Sequence, residues 1–290
     1  MTVKDRLKTY RKHPGSFLVM LLVMLGALLT FSVLLFLIAY ILINGVPHIK
    51  LSLFEWNYTS ENASVVPALI NTIVMTILSL LIAVPFGIFS AIFLVEYAGK
   101  GNKFIEVIRL TTETLSGIPS IVYGFFGLVV LVPFIREHFK NSNGQSILCA
   151  SILLGIMILP TIISVSESSL RAVPESYYEG SLALGATHER SVFSAVFPAA
   201  RSGILAGIIL GVGRAIGETM AVVMIAGNQP ILPKSLLSGV RTLTANIVLE
   251  MGYATDLHRE ALIACGVVLF VFILIINLCF SAVKRKADAT

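Results

Sequence analysis

Between Ser16 and Ile43 this chain runs for about 28 residues without a charged side chain, and that stretch excludes most folds at once. About 20 apolar residues are enough for a helix to cross the hydrocarbon core of a bilayer. Inside lipid every backbone N–H and C=O must be bonded within the protein, which leaves helices and closed barrels. The apolar runs here are far longer than the roughly 9–11 residues of a barrel strand, so the chain is read as all-α. Six runs qualify, at about 16–44, 66–95, 108–135, 147–170, 202–227 and 260–283. Composition agrees, with 56% apolar and 13% charged residues, about half the charged share of a soluble domain.

Basic residues set the orientation. With the N-terminus inside, the cytoplasmic side holds Lys4, Arg6, Lys8, Arg11 and Lys12, then Lys100, Lys103 and Arg109, then Arg171, Arg190 and Arg201, then Lys284, Arg285 and Lys286. The outside holds less than half as many: Lys50, Arg136, Lys140, Lys234, Arg241 and Arg259. The positive-inside rule therefore places both termini in the cytoplasm. The net charge of +5 follows from this bias and gives no reason to invoke nucleic acid. The first run is about twice as long as a signal-peptide core and is read as an uncleaved span. Cys149, Cys265 and Cys279 lie in apolar runs without pairing or metal-ligand spacing, so no disulfide and no metal site is expected. The expected organisation is a tail over 1–15, one membrane domain over 16–283 and a second tail over 284–290. An external loop, 228–258, contains Leu243 to Met251, whose helical spacing predicts a short surface helix.

Three stretches carry chemistry. The first is the polar interruption from Arg171 to Arg201, too long for a simple turn between helices. Pro174 suits a first helical turn, Glu175 to Leu184 reads as a short helix, and Gly185 suits its C-terminal cap. A second helix follows from Thr187 to Pro198. The pair makes either a compact knob or an amphipathic surface hairpin on the headgroups. The second stretch is Gly211-Val-Gly-Arg-Ala-Ile-Gly-Glu-Thr-Met220, which puts Arg214 and Glu218 four apart on one helix face. A charge at mid-bilayer costs at least about 2.5–3.5 kcal/mol. The two residues therefore face each other, a polar neighbour or a water-filled path, either as a packing pair or as part of a route for an anion. Arg214 offers a fork of donors matched to oxyanion oxygens, and Thr219 lies beside it. The third stretch surrounds Pro119, where Ser116 and Ser120 are placed to satisfy freed backbone groups. The resulting kink serves as a gate hinge or as shape alone. Arg109 and Glu113, four apart, read as a snorkelling pair.

Glu179, Gly185, Ala186 and Pro198 resemble the Glu-Ala-Ala loop of ABC importer permeases, with departures at Gly180, Ser181, Ala195 and Phe197. Gly117-Ile-Pro-Ser-Ile-Val-Tyr-Gly-Phe-Phe-Gly127 and Arg214-Ala-Ile-Gly-Glu-Thr-Met-Ala-Val222 narrow the resemblance to permeases of the bacterial phosphate importer. The wording is more similar to the PstC subunits than to their PstA sisters. The resemblance implies a type I ABC importer permease fold with six transmembrane helices, multi-pass in the bacterial plasma membrane. It implies a coupling helix in the 171–201 loop that docks on a separate ATPase. It also implies a PstA-like permease partner, a PstB-like ATPase dimer and a PstS-like phosphate-binding protein, with inorganic phosphate as cargo. ATP and Mg would then sit on the ATPase, with no cofactor and no catalytic residue in this chain. No Gly-x-x-x-x-Gly-Lys-Ser/Thr occurs in these residues. Two rival classes are a permease for sulfate or molybdate and an ion-coupled secondary carrier, for which matching inverted halves are not evident.

Overall fold

The computed structural model describes residues 14–59, 62–97, 103–140 and 142–288. The expected N-terminal tail lies almost wholly outside the described residues, as does the cytoplasmic turn around Lys100. Everything regular among the described residues is helical, and six helices are long and apolar enough to cross a membrane.

Helix α1 (Pro14–Gly45) is apolar on every side and packs on the last helix alone among the long spans. Its side chains are exposed along almost the whole length, as a lipid-facing span requires. The centre of the molecule is built from α2 (Val66–Ile92, prolonged by a wide turn over Phe93–Tyr97) and two later helices. Of these, α6 (Ile147–Arg171) is the most enclosed span, and it packs along both α2 and α9 (Phe197–Gly217). Small residues allow that closeness. A Cβ added at Gly87 on α2 would lie 2.7 Å from Ile162 Cγ2 and 3.1 Å from its Cβ. Gly207 and Gly211 on α9 are less tight, with an added Cβ at 3.1 Å from Val165 and 3.2 Å from Ile162.

The third span differs from expectation. In place of one kinked helix over 108–135 there are two: α3 (Lys103–Gly117) and, after a break at Ile118 and Pro119, α4 (Ser120–Phe126), which a wide turn Gly127–Leu131 carries without interruption into α5 (Val132–His138). The membrane-crossing part is Ser120–His138. Pro119 ends α3 outright, with ψ at 140°, because it lacks an N–H and forces its predecessor out of the helical region. The carbonyl this frees, that of Leu115, accepts the Tyr123 hydroxyl at 2.8 Å. Ser116 is exposed and Ser120 half-buried, so the tyrosine, not the flanking serines, closes the gap. Arg109 does not pair with Glu113. Its Nη2 lies 2.9 Å from Glu167 Oε1 on α6, which Arg171 also reaches at 3.0 Å, and this ties α3 to α6.

The fifth span also departs from expectation, at both ends. The short α8 (His188–Ser191), a wide turn Val192–Val196 and α9 form one unbroken 30-residue helix from His188 to Gly217. Pro198 sits inside it, just past the wide turn, which accommodates a ring that has no N–H to give. At the other end the helix stops at Gly217, and α10 (Met220–Ile225) begins after a two-residue break.

On the external side α11 (Leu243–Glu250) does form, but it is not a surface helix. Leu243 and Ala245 are fully buried and Asn246 nearly so. The loop before it supplies backbone carbonyls to the start of α6: Ile147 N–H donates to Ser238 O at 3.1 Å and Leu148 N–H to Leu236 O at 2.9 Å. These are helix-terminal N–H groups with no partner inside their own helix, so the loop is part of the bundle. Helix α12 (Asp256–Asp288) takes in the expected C-terminal tail as far as Asp288.

Gly87→Val is expected to force Ile162 off its position and lower stability by about 1–3 kcal/mol, read as a lower melting midpoint of the solubilised protein. Gly155→Ala is the control. Its added Cβ meets Ile82 and the Ser79 carbonyl at ordinary contact distances of 3.4 Å, so its midpoint should stay near that of the wild type.

Candidate functional site

Apart from Ser116, Pro119 and Ser120 at the break before α4 and Pro198 in the long helix, the residues singled out above fall in two places: a knob on the face that charge assigns to the cytoplasm, and a break in the fifth span. The knob is α7 (Glu175–Ala183) joined to α8. Gly185 takes φ +86°, the left-handed region open to glycine. Its N–H donates to Leu182 O at 2.8 Å, and the Ala186 N–H reaches Ser181 O at 3.2 Å. These two bonds make a Schellman stop, which closes the helix with backbone alone. Thr187 Oγ1 then accepts from the Arg190 N–H at 3.4 Å and starts the next helix. The two arms are joined by Ser191 Oγ to Ser181 Oγ at 3.0 Å and by a 2.8 Å bond between Tyr178 Oη and His188 Nδ1. The Tyr97 ring packs edge-on against His188 and fastens the knob to the end of α2.

The arrangement is compact, and its tip is apolar and open. Leu184 is 91% exposed, and a Cβ on Gly185 would meet nothing within 4 Å. Glu179 is exposed on α7, and Ala186 is half-buried just past the turn. Pro198 does not join them. It lies further along the long helix that the knob begins.

At the break, Arg214 and Glu218 do not form the expected pair on one helix face. Glu218 has extended backbone (φ −67°, ψ 130°) and turns its carboxylate forward. Its Oε1 accepts the N–H groups of Thr219 at 3.1 Å and Ala221 at 3.3 Å, capping α10. Thr219 Oγ1 donates back to Gly217 O at 3.1 Å. The Glu218 carbonyl, left without a helical donor, accepts Thr244 Oγ1 from α11 at 3.0 Å. Arg214 remains half-buried, with one long bond from Nη1 to Thr161 Oγ1 at 3.4 Å. Among the described residues no carboxylate lies within ion-pair distance of it. A guanidinium fork that is partly desolvated and not neutralised keeps donors free for an oxyanion.

Residues that sequence reasoning passed over complete the picture. Thr244 and Tyr123 carry no local signal, because their partners are 26 and 8 positions away. Glu167 was findable, since it stands four residues before Arg171. On the external side Arg241 pairs with Glu250, which also meets His258 and lies 3.5 Å from Tyr58 Oη. Burial, and then the Glu250 carboxylate, push the Tyr58 hydroxyl above its ordinary value.

The sequence matches the family model for binding-protein-dependent transport system inner membrane components over residues 83–288. It is 41% identical to a probable ABC transporter permease, YqgH, of Bacillus subtilis, over 84% of this chain and 81% of that one. It is 36% identical to the phosphate transport system permease protein PstC of Xylella fastidiosa strain 9a5c, over 75% of this chain and 72% of that one. The fold resembles a chain of the bacterial alginate ABC transporter crystallised with a pentasaccharide-bound periplasmic protein. That TM-score is 0.67, with 14% identity, covering 96% of this chain and 97% of that one. It also resembles the inward-facing MetNI methionine ABC transporter, with TM-score 0.56 and 18% identity, covering 86% of this chain and 97% of that one.

Gly185→Ala is expected to strain the knob's turn by about 1–2 kcal/mol without any clash. The loop should be nicked faster by protease, while the melting midpoint of the membrane domain changes little. Gly185→Asn, which tolerates the left-handed region better, should be nicked less than Gly185→Ala.

Proposed function

Because the chain belongs to the family of binding-protein-dependent transport system inner membrane components, we propose that it is the permease subunit of an ATP-driven importer of inorganic phosphate. The observation that carries this reading is the single helix from His188 to Gly217. Its 30 residues extend about 45 Å, from the exposed knob to the break beside Arg214. A continuous helix of that length links a displacement of the knob to the anion route.

In this reading the knob docks on a separate cytoplasmic ATPase, with Glu179, Gly185 and Ala186 shaping the contact and Leu184 entering it. Pro198 helps set the angle of the long helix as it leaves the knob. ATP and Mg are held by that partner. The proposed partners are a PstA-like permease, a PstB-like ATPase dimer and a PstS-like phosphate-binding protein. The phosphate assignment rests on the relatives named PstC, and the residues at the break are suited to it. Arg214 presents donors to phosphate oxygens. Glu218 has one carboxylate oxygen engaged in capping, and Oε2 is left to accept the proton of hydrogen phosphate, a donor that sulfate lacks. Thr219 holds the turn through Gly217. Pro119, with Ser116 and Ser120 beside it, marks the flexible joint between α3 and the third span, a place for a gate to bend.

Losing one charge-assisted hydrogen bond, about 1.5–3 kcal/mol, corresponds to roughly tenfold to a hundredfold in rate. Arg214→Lys and Glu218→Gln are each expected to lower phosphate uptake by that factor in proteoliposomes of the whole complex. Wild-type uptake in both variants would remove these residues from the route. Competition by unlabelled sulfate or molybdate as strong as that by phosphate would reassign the cargo. Uptake by this chain without an ATPase would make it a secondary carrier. Leu184→Asp should abolish co-purification with the ATPase while leaving the membrane domain folded.

A further inference from the structure

The external helix α11 reaches the break directly. Its Thr244 hydroxyl donates to the carbonyl of Glu218 at 3.0 Å, so a backbone acceptor at the break is served from a different element. We propose that Thr244 is a positioning residue for import: α11 holds the Glu218 turn in its closed shape until the external face of the complex is engaged. This rests on the importer reading and adds to it the element by which the outside acts on the route.

The placement of α11 supports such a role. Its inner end is fixed by buried polar bonds: Leu243 N–H to Thr72 Oγ1 at 3.1 Å, and Asn71 Nδ2 to Arg241 O at 3.1 Å. Its outer end is held where Glu250 meets Arg241, His258 and Tyr58, after which the chain emerges at Tyr253, 72% exposed. A load on the exposed end therefore acts on an eight-residue helix that has two strong anchors and one hydroxyl on the Glu218 carbonyl. If Thr244 withdraws, that carbonyl loses the donor another element gives it, and a partly buried acceptor left unmet is costly. The turn must then rearrange. The Glu218 side chain that caps α10, the nearest carboxylate to Arg214 along the chain, moves with it. Contact outside thus becomes a change at the anion route with no large movement of a span.

The test compares Thr244→Val with Thr244→Ser in the assembled complex. Two readings are taken: hydrogen exchange of the amides from Thr219 to Ile225, and the ratio of ATP hydrolysis with phosphate-loaded binding protein to that without. Thr244→Val, which keeps the shape but loses the hydroxyl, should speed exchange there about tenfold. It should also raise the unstimulated hydrolysis until the ratio approaches one. Thr244→Ser should match the wild type in both. The proposal falls if the valine variant behaves as wild type in both readings, or if serine is as damaging as valine, since packing alone would then explain the loss. Should Thr244→Val fail to assemble, Glu250→Gln takes its place. It loosens the outer end of α11 and leaves the hydroxyl, and it should speed exchange and lower the hydrolysis ratio, each by a smaller factor; wild-type values would overturn the proposal. A wild-type complex unresponsive to phosphate-loaded binding protein would defeat the phosphate assignment, while the exchange comparison still decides the role of Thr244.

Discussion

A backbone carbonyl inside a membrane must find a donor within the protein, and the shape of this chain follows from where that demand is hardest to meet. Long helices meet it internally. The two interruptions cannot, and each recruits a hydroxyl. After Pro119 the donor is Tyr123, one turn into the next helix, and at Glu218 it is Thr244, from an element of the external loop. The same demand explains why the loop before α11 folds inward. Its carbonyls are taken up by the first N–H groups of α6, so neither the loop nor the helix start is complete without the other.

This bonding divides the molecule into stiff and yielding parts. The stiff part is the packing of α2, α6 and α9, where glycines bring backbones close and a single methyl would collide. Electrostatics adds one further tie there, with Arg109 and Arg171 sharing Glu167 and keeping α3 against α6. The yielding parts are the two breaks, where few bonds hold the chain and a single hydroxyl serves a carbonyl at each. A rigid rod ending at such a joint concentrates any applied motion at the joint. The half-buried Arg214 stands one turn before it.

Hydropathy made most of this architecture legible, because span length is set by bilayer thickness and leaves a long, unambiguous signal. The runs at 66–95 and 147–170 lie within about two residues of the helices that form. The misreadings cluster where a polar residue interrupts a run. Arg214 and Glu218 are spaced as helical neighbours, but glycine and threonine on either side of Glu218 let the backbone turn extended, and capping α10 satisfies the carboxylate better than lying along the same helix would. At 108–135 the apolar pattern continues across Pro119 although the helix does not. The knob was readable because its turn chemistry is local: Gly185 ends one helix and Thr187 begins the next. Thr244 was not readable, since nothing near it in sequence announces a partner on another element. Leu243 to Met251 has the spacing of a half-exposed helix, and only the surrounding bundle turns its inner end into a buried one.

The stop at Gly185 is made by two main-chain bonds, and the tip side chain, Leu184, takes no part in it. Structure and contact are therefore written in different atoms. Substitutions at position 184 can alter what the knob grips without altering the knob. On the docking proposed for the knob, two related transporters in one cell keep their motors from being exchanged by changing a single side chain, while the scaffold that delivers the stroke stays the same.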